Sequence, residues 1–136
     1  MAHSKFRAEV LTPEGEVFND EVELVSTKTA VGSIGILAHH EPVLAMLDPT
    51  ELRLYKTESE VVRFAQAEGY LQVAENRVLI LVEEATEPAS LDAGSLRERL
   101  QEAERALESA GDDTEKRRLA EQDKRRLEAF LSIAEG

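Results

Sequence analysis

Val78-Leu79-Ile80-Leu81-Val82-Glu83-Glu84-Ala85-Thr86-Glu87-Pro88-Ala89-Ser90-Leu91-Asp92 is the stretch where the chain changes character. Val78–Val82 reads as a strand, Glu83–Ser90 as the exit from it, and Pro88 ends the extended run because proline lacks a donor for a further ladder bond. Residues before this point alternate in short apolar–polar runs broken by turns. Residues after it carry apolar side chains at helical spacing. The pattern predicts an α+β chain, mainly β in its first part: an antiparallel β-sandwich over 1–88, then a two-helix antiparallel hairpin over 89–136.

Upstream, Phe6, Ala8 and Val10 alternate with Arg7 and Glu9, the period-two mark of a strand with one buried face. Thr12-Pro13-Glu14-Gly15 is a turn, and strands are expected at Val22–Thr27, Leu52–Tyr55, Val61–Gln66 and Tyr70–Val73. Asn19-Asp20, Asp48-Pro49 and Glu75-Asn76 are expected turns. Many short strands at roughly ten-residue spacing, with no helical stretch between them, favour a sandwich or flattened barrel over βαβ units.

Downstream, Leu96, Leu100, Ala103 and Leu107 form one narrow apolar stripe, and Leu119, Leu127, Phe130 and Leu131 form another, with Ala120 and Ala134 filling in. The first helix is capped either by Asp92 or by Ser95 with Glu98, and Gly94 disfavours helix before Ser95. Gly111 is a C-terminal stop, and Asp112 with Glu115 offers a capping box to a second helix from about Thr114 to Ile133. Both stripes are sparse, so the hairpin is expected to depend on the β domain or on a partner. Asp123 falls within the apolar arc of the second helix and is expected to face Arg99 in the folded hairpin.

The net charge is −12, with 16 acids against 7 bases in residues 1–88 and 12 against 9 in 89–136. Such a chain repels nucleic-acid phosphates and anionic lipid, so neither is an expected partner. It contains no cysteine, hence no disulfide or thiolate chemistry. With no tryptophan, two tyrosines and four phenylalanines, its core must be built from Val, Leu, Ile and Ala. No run approaches the ~20 apolar residues of a membrane span, and Met1–Lys5 lacks the apolar stretch of a signal peptide. Membrane contact is therefore expected only through other proteins.

Neither half gathers catalytic side chains: there is no nucleophile–base pair and no carboxylate dyad. His39, His40 and Glu41 tempt a metal reading, but adjacent residues rarely converge on one ion, so no metal site is expected. The glycines of Gly32-Ser33-Ile34-Gly35-Ile36-Leu37-Ala38-His39-His40-Glu41-Pro42 do not make a phosphate loop, since the Gly-Lys-Ser/Thr step is missing.

Taken in order, Thr12-Pro13-Glu14-Gly15, Gly32-x-x-Gly35-Ile36-Leu37-x-x-His40-x-Pro42, Gly69-Tyr70-Leu71-Gln72-Val73, Val78-Leu79-Ile80-Leu81 and the closing hairpin resemble the epsilon subunit of bacterial F-type ATP synthase. Ala38 stands where that family usually has proline, and Glu68 where it often has glycine. The resemblance implies a non-catalytic subunit of the central stalk. Its sandwich would bind the gamma subunit and rest on the c-ring through Gly32, Gly35, Ile36, Leu37, His40 and Pro42, coupling proton-driven rotation to ATP synthesis. It also implies a peripheral membrane location on the cytoplasmic face of a bacterial membrane. In this family the hairpin lies folded or extends toward the alpha and beta subunits, where it impedes ATP hydrolysis. Arg117, Arg118, Lys124, Arg125 and Arg126 form a basic face on the second helix for such a contact, with Arg117 in line with Lys124 and Arg118 with Arg125 as two ridges. The alternative is an ATP-sensing module whose hairpin closes around nucleotide. Leu91 and Asp92 match the start of that family motif, but Ser95 replaces its arginine and Leu96 its alanine. No cofactor is therefore expected, although Arg125 and Arg126 remain available to a phosphate.

Overall fold

The computed structural model describes residues 3–136, so the first two positions of the expected N-terminal domain lie outside the described residues. Ten strands come first: β1 (Phe6–Thr12), β2 (Gly15–Val22), β3 (Leu24–Thr29), β4 (Gly32–Ile36), β5 (Val43–Leu47), β6 (Thr50–Tyr55), β7 (Val61–Gln66), β8 (Gly69–Ala74), β9 (Arg77–Val82) and β10 (Ala85–Thr86). A single 3₁₀ turn, Pro88–Ser90, leads into helices α1 (Ala93–Ser109) and α2 (Thr114–Glu135).

The strands form one hydrogen-bonded path, β10-β7-β6-β3-β5-β8-β9-β1-β2, with β4 added to β3. The path is thinnest at β3–β5, where Thr29↔Leu47 is the one recorded pair. The sheet folds over at that point into two layers. One holds β10, β7, β6, β3 and β4; the other holds β5, β8, β9, β1 and β2. Between them lie Val10, Val25, Ile36, Leu52, Leu54, Leu71 and Ile80, all fully buried, with their neighbours. This aliphatic core is the one that the aromatic-poor composition demands.

Four strands, β2, β4, β5 and the two-residue β10 within the expected exit segment, were not separate expectations, and the first three have a physical reason. β2 is an edge strand with a mostly exposed, polar face, so Asn19-Asp20 reads as a turn in isolation yet sits within the β1–β2 ladder. β4 takes the first half of the glycine-rich stretch and pairs with β3 from Val25↔Ile36 to Thr29↔Gly32. β5 carries apolar residues on both faces and so lacks the alternation that marks a strand. The sheet also departs from a purely antiparallel sandwich, because β1 pairs with β9 in parallel from Arg7↔Arg77 to Leu11↔Leu81. No crossover helix is required there, since the rest of the sandwich is the connection.

One turn rests on special backbone, and one strand pairing on a close approach. Glu75 and Asn76 both have positive φ, 51° and 59°, which suits the tight β8–β9 hairpin. At Gly69 an added Cβ would stand 1.9 Å from the Leu81 carbonyl oxygen, so no larger residue fits between β8 and β9.

Helix α1 begins at Ala93, with Asp92 as its cap: the carboxylate accepts from Gly94 N–H at 3.0 Å and Ser95 N–H at 3.3 Å. Gly94 is therefore inside the first turn. Gly111 has φ 56°, the left-handed stop that ends α1. The cap of α2 is Asp113 rather than Asp112, accepting from Lys116 N–H at 3.1 Å.

Candidate docking face and hairpin contact

Strand register alone assembles one surface. Met46 pairs with Tyr70, Tyr70 with Leu81, and Leu81 with Leu11, so four apolar side chains cross β5, β8, β9 and β1 in a row on the outer face. The next row is Leu44, Gln72, Leu79 and Glu9. Leu44 is 74% exposed, Met46 61%, Tyr70 53% and Leu81 43%. A contiguous apolar sheet face on so acidic a chain is the kind of surface that a protein partner covers. It was absent from the expected site residues, though the Leu/Met content at 44 and 46 and the alternation in β8 were visible signals.

The glycine-rich stretch is not one patch. Gly32, Gly35 and Ile36 lie in β4, and the Ile36 side chain is fully buried in the core, so it offers no contact surface. Leu37, Pro42 and His39 are exposed, with His40 half-buried, at the opposite end of β4 from Gly32. Four strand steps separate Gly32 from Ile36, about 13 Å. This end is also where the β8–β9 turn lies. His39, at φ 63°, is held there by its N–H donating to Asn76 Oδ1 at 2.7 Å, and His40 Nδ1 donates to its neighbour's carbonyl, that of Glu41, at 2.7 Å. No group of His, Cys, Asp or Glu able to hold a metal ion occurs among the described residues.

The hairpin lies folded on the outer face of the other layer. Its seat is Ala65 and Ala67, fully buried beneath Leu96, Ala103, Leu127 and Phe130. Small residues at alternate positions leave a flat shelf on which a helix can approach the sheet closely. Leu91 joins this cluster, and Asp92 is occupied as a helix cap. Leu119, expected in the apolar stripe, is 48% exposed, while Ala120 takes the buried position. Asp123 is exposed, and although it shares a shallow depression with Arg99, no ion pair joins them among the described residues.

The five expected basic residues divide. Arg117 approaches Glu121 at 3.8 Å, and Arg118 pairs with Glu115 at 2.7 Å on the solvent side. The Glu115 carboxyl is held below its ordinary range by that hydrogen bond and by the Arg118 charge. Lys124 is half-buried. Arg125 and Arg126 instead turn to the sandwich: Arg125 pairs with Asp48 at 2.9 Å, and Arg126 with Glu68. Neither carboxylate was an expected site residue. The departure from the family pattern at Glu68 thus acquires a partner that local sequence cannot show.

Residues 5–88 match the family described as ATP synthase, Delta/Epsilon chain, beta-sandwich domain. The chain is also 34% identical over 129 residues to an ATP synthase epsilon chain of Sulfurihydrogenibium sp. (strain YO3AOP1), covering 95% of this chain and 96% of that one. The chain belongs to the ATP synthase epsilon-chain family. A family member from Persephonella marina is 40% identical over 100 residues, 74% of each chain, and one from Halalkalibacterium halodurans 35% over 125 residues, 92% of this chain and 93% of that one. The family fold recurs in a chain of the Euglena gracilis mitochondrial ATP synthase OSCP/F1/c-ring structure, with TM-score 0.80 at 21% identity, over 94% of this chain and 80% of that one.

Proposed function

We propose that this chain is the non-catalytic epsilon subunit in the central stalk of an F-type ATP synthase, coupling rotation to ATP synthesis. Its sandwich grips the gamma subunit through the Met46–Tyr70–Leu81 face and meets the c-ring through Leu37, His40 and Pro42. The observation that carries this reading is the uncovered apolar row fixed by the β5-β8-β9 register. A sheet with a continuous aliphatic core is stiff enough to pass on torque, and passing on torque requires no reacting group. Membrane association then comes through the complex, on the cytoplasmic face, and no helix among the described residues is long and apolar enough to cross a membrane.

The hairpin supplies regulation. Folded, as here, it leaves the alpha and beta subunits free; extended, its basic ridge of Arg117, Arg118 and Lys124, joined by Arg125 and Arg126, engages them and impedes hydrolysis. Nucleotide is not needed for the folded form, because Asp92 is used as a cap and Arg125 and Arg126 already hold carboxylates.

Capture of gamma and c-ring proteins from membranes by the tagged full-length chain tests the docking. Tyr70→Glu with Met46→Glu should abolish capture of gamma while leaving the circular-dichroism spectrum intact. Undiminished capture by that variant would remove this face from the assignment. Removal of residues 92–136 should raise ATP hydrolysis by the assembled enzyme; unchanged hydrolysis would contradict the regulatory half.

A further inference from the structure

We infer that Arg125 and Arg126 form a two-armed ionic clasp that keeps the hairpin shut on the sandwich with no ligand bound. The inference rests on the regulatory reading only for its consequence in the assembled enzyme; the clasp itself belongs to the free chain. Its arms are consecutive on α2, so they leave the helix about 100° apart and reach two different turns of the sandwich. Arg125 reaches Asp48, in the turn between β5 and β6, at 2.9 Å. Arg126 reaches Glu68, in the turn between β7 and β8.

Both receiving turns are built to stay still. Asp48 is braced from the interior: fully buried Gln66 donates from Nε2 to the Asp48 carbonyl at 2.7 Å and accepts from the Thr27 hydroxyl at 2.7 Å. Around Glu68, Ala67 N–H donates to the Glu84 carbonyl at 2.9 Å, and the Glu68 carbonyl accepts from Glu83 N–H at 3.1 Å. The backbone that bears both carboxylates is thus already fixed when the clasp closes, which limits the entropy lost to the side chains.

The two arms differ in exposure. The Arg125 side chain is 63% exposed, whereas both partners of Arg126–Glu68 are only about one-fifth exposed, at 21% and 22%. Burial opposes the charge on Arg126, but the hydrogen bond and charge of Glu68, with Glu84 and Asp123 beyond, outweigh it and raise the guanidinium pKa. Arg99 and Glu102 of α1 line the depression beside it. Removing Glu68 would leave a half-buried cation with one internal nitrogen, Nε, that already lacks a partner among the described residues. The inner arm is therefore the stronger one.

The chain has no cysteine, so Ser33→Cys with Ser132→Cys places one reporter on exposed β4 and one on exposed α2. Spin-label distances in the full-length chain should then give a single short population. Glu68→Arg or Arg126→Glu should lower the ratio of short to long distances at least about tenfold. The double swap, Glu68→Arg with Arg126→Glu, should restore it to within about twofold. Asp48→Arg with Arg125→Asp repeats the test on the exposed arm, with a smaller loss in the singles. A single reversal at 68 or 126 that leaves the ratio unchanged overturns the clasp, as does a double swap as open as the singles. Gamma capture is scored separately, so failure here does not touch the subunit assignment.

Discussion

The sandwich and the hairpin are built to different margins. The sandwich buries fifteen side chains in one cluster closed from both layers, and its ladders tie distant parts of the chain together. The two helices together bury five: Leu96, Ala103, Ala120, Leu127 and Phe130. Two of the five are alanines, and the sandwich contributes only Ala65 and Ala67 to the buried cluster beneath the helices. On the proposed function, the sandwich is the rigid body and the hairpin its lightly seated lever. The lesson is that the fold lies in the stronger contact, while the proposed switch would act on the weaker one.

The sharpest way to break this contrast is at the centre of β8. Leu71→Ala should lower the unfolding free energy by about 2–5 kcal/mol, since a fully buried leucine leaves a cavity that two sheets cannot close. Chemical denaturation checks it, and a loss under about 1 kcal/mol would mean that the sandwich is not the rigid partner. On the hairpin side, Phe130→Ala should release the helices and leave the midpoint of the sandwich in place. The cost there is limited by the hairpin's own docking free energy, so it should fall short of the ~3–5 kcal/mol of a phenylalanine truncated in a closed core. Hydrogen exchange at Ala65 and Ala67 should rise while exchange at Leu71 does not; a joint rise would make the two regions one cooperative unit.

Cap removal sharpens the comparison further. Asp92→Ala or Asp113→Ala should each cost about 1 kcal/mol of helix stability, read as lost helical signal without loss of the sheet transition. Acid titration gives the smallest effect. The Glu115 carboxyl lies below its ordinary value because of the hydrogen bond and charge of Arg118. Its contribution is therefore complete above the unfolded value and fades as pH falls through the lower, folded one. Glu115→Gln should remove that part of the acid dependence of the first turn of α2, and an unchanged pH profile would count against the Glu115–Arg118 pair.

Several features were open to local reading because their causes are local. The period-two alternation of β1, the Asp48-Pro49 and Glu75-Asn76 turns, Pro88 and the stop at Gly111 each depend on a few adjacent residues. Family membership followed from the order of several such motifs along the whole chain. β2 was misread because its stability comes from β1 rather than from its own polar residues. Asp112 and Asp113 are equally good caps by type, and only the path of the turn selects Asp113. The basic ridge was legible as a row on one helix, but the division that sends Arg125 and Arg126 inward depends on where α2 lands on β6 and β7.

By itself, then, the amino-acid order determined the two-part architecture and the aliphatic core, because propensity, turn chemistry and residue type act over a few positions. Tertiary structure alone decided that Ile36 is core while Leu37 is surface, that Met46, Tyr70 and Leu81 share one face, and that Asp48 and Glu68 receive two arginines from 77 and 58 residues away. Those outcomes depend on strand register and on the docking of a helix. Both are settled by which surfaces meet when the whole chain closes.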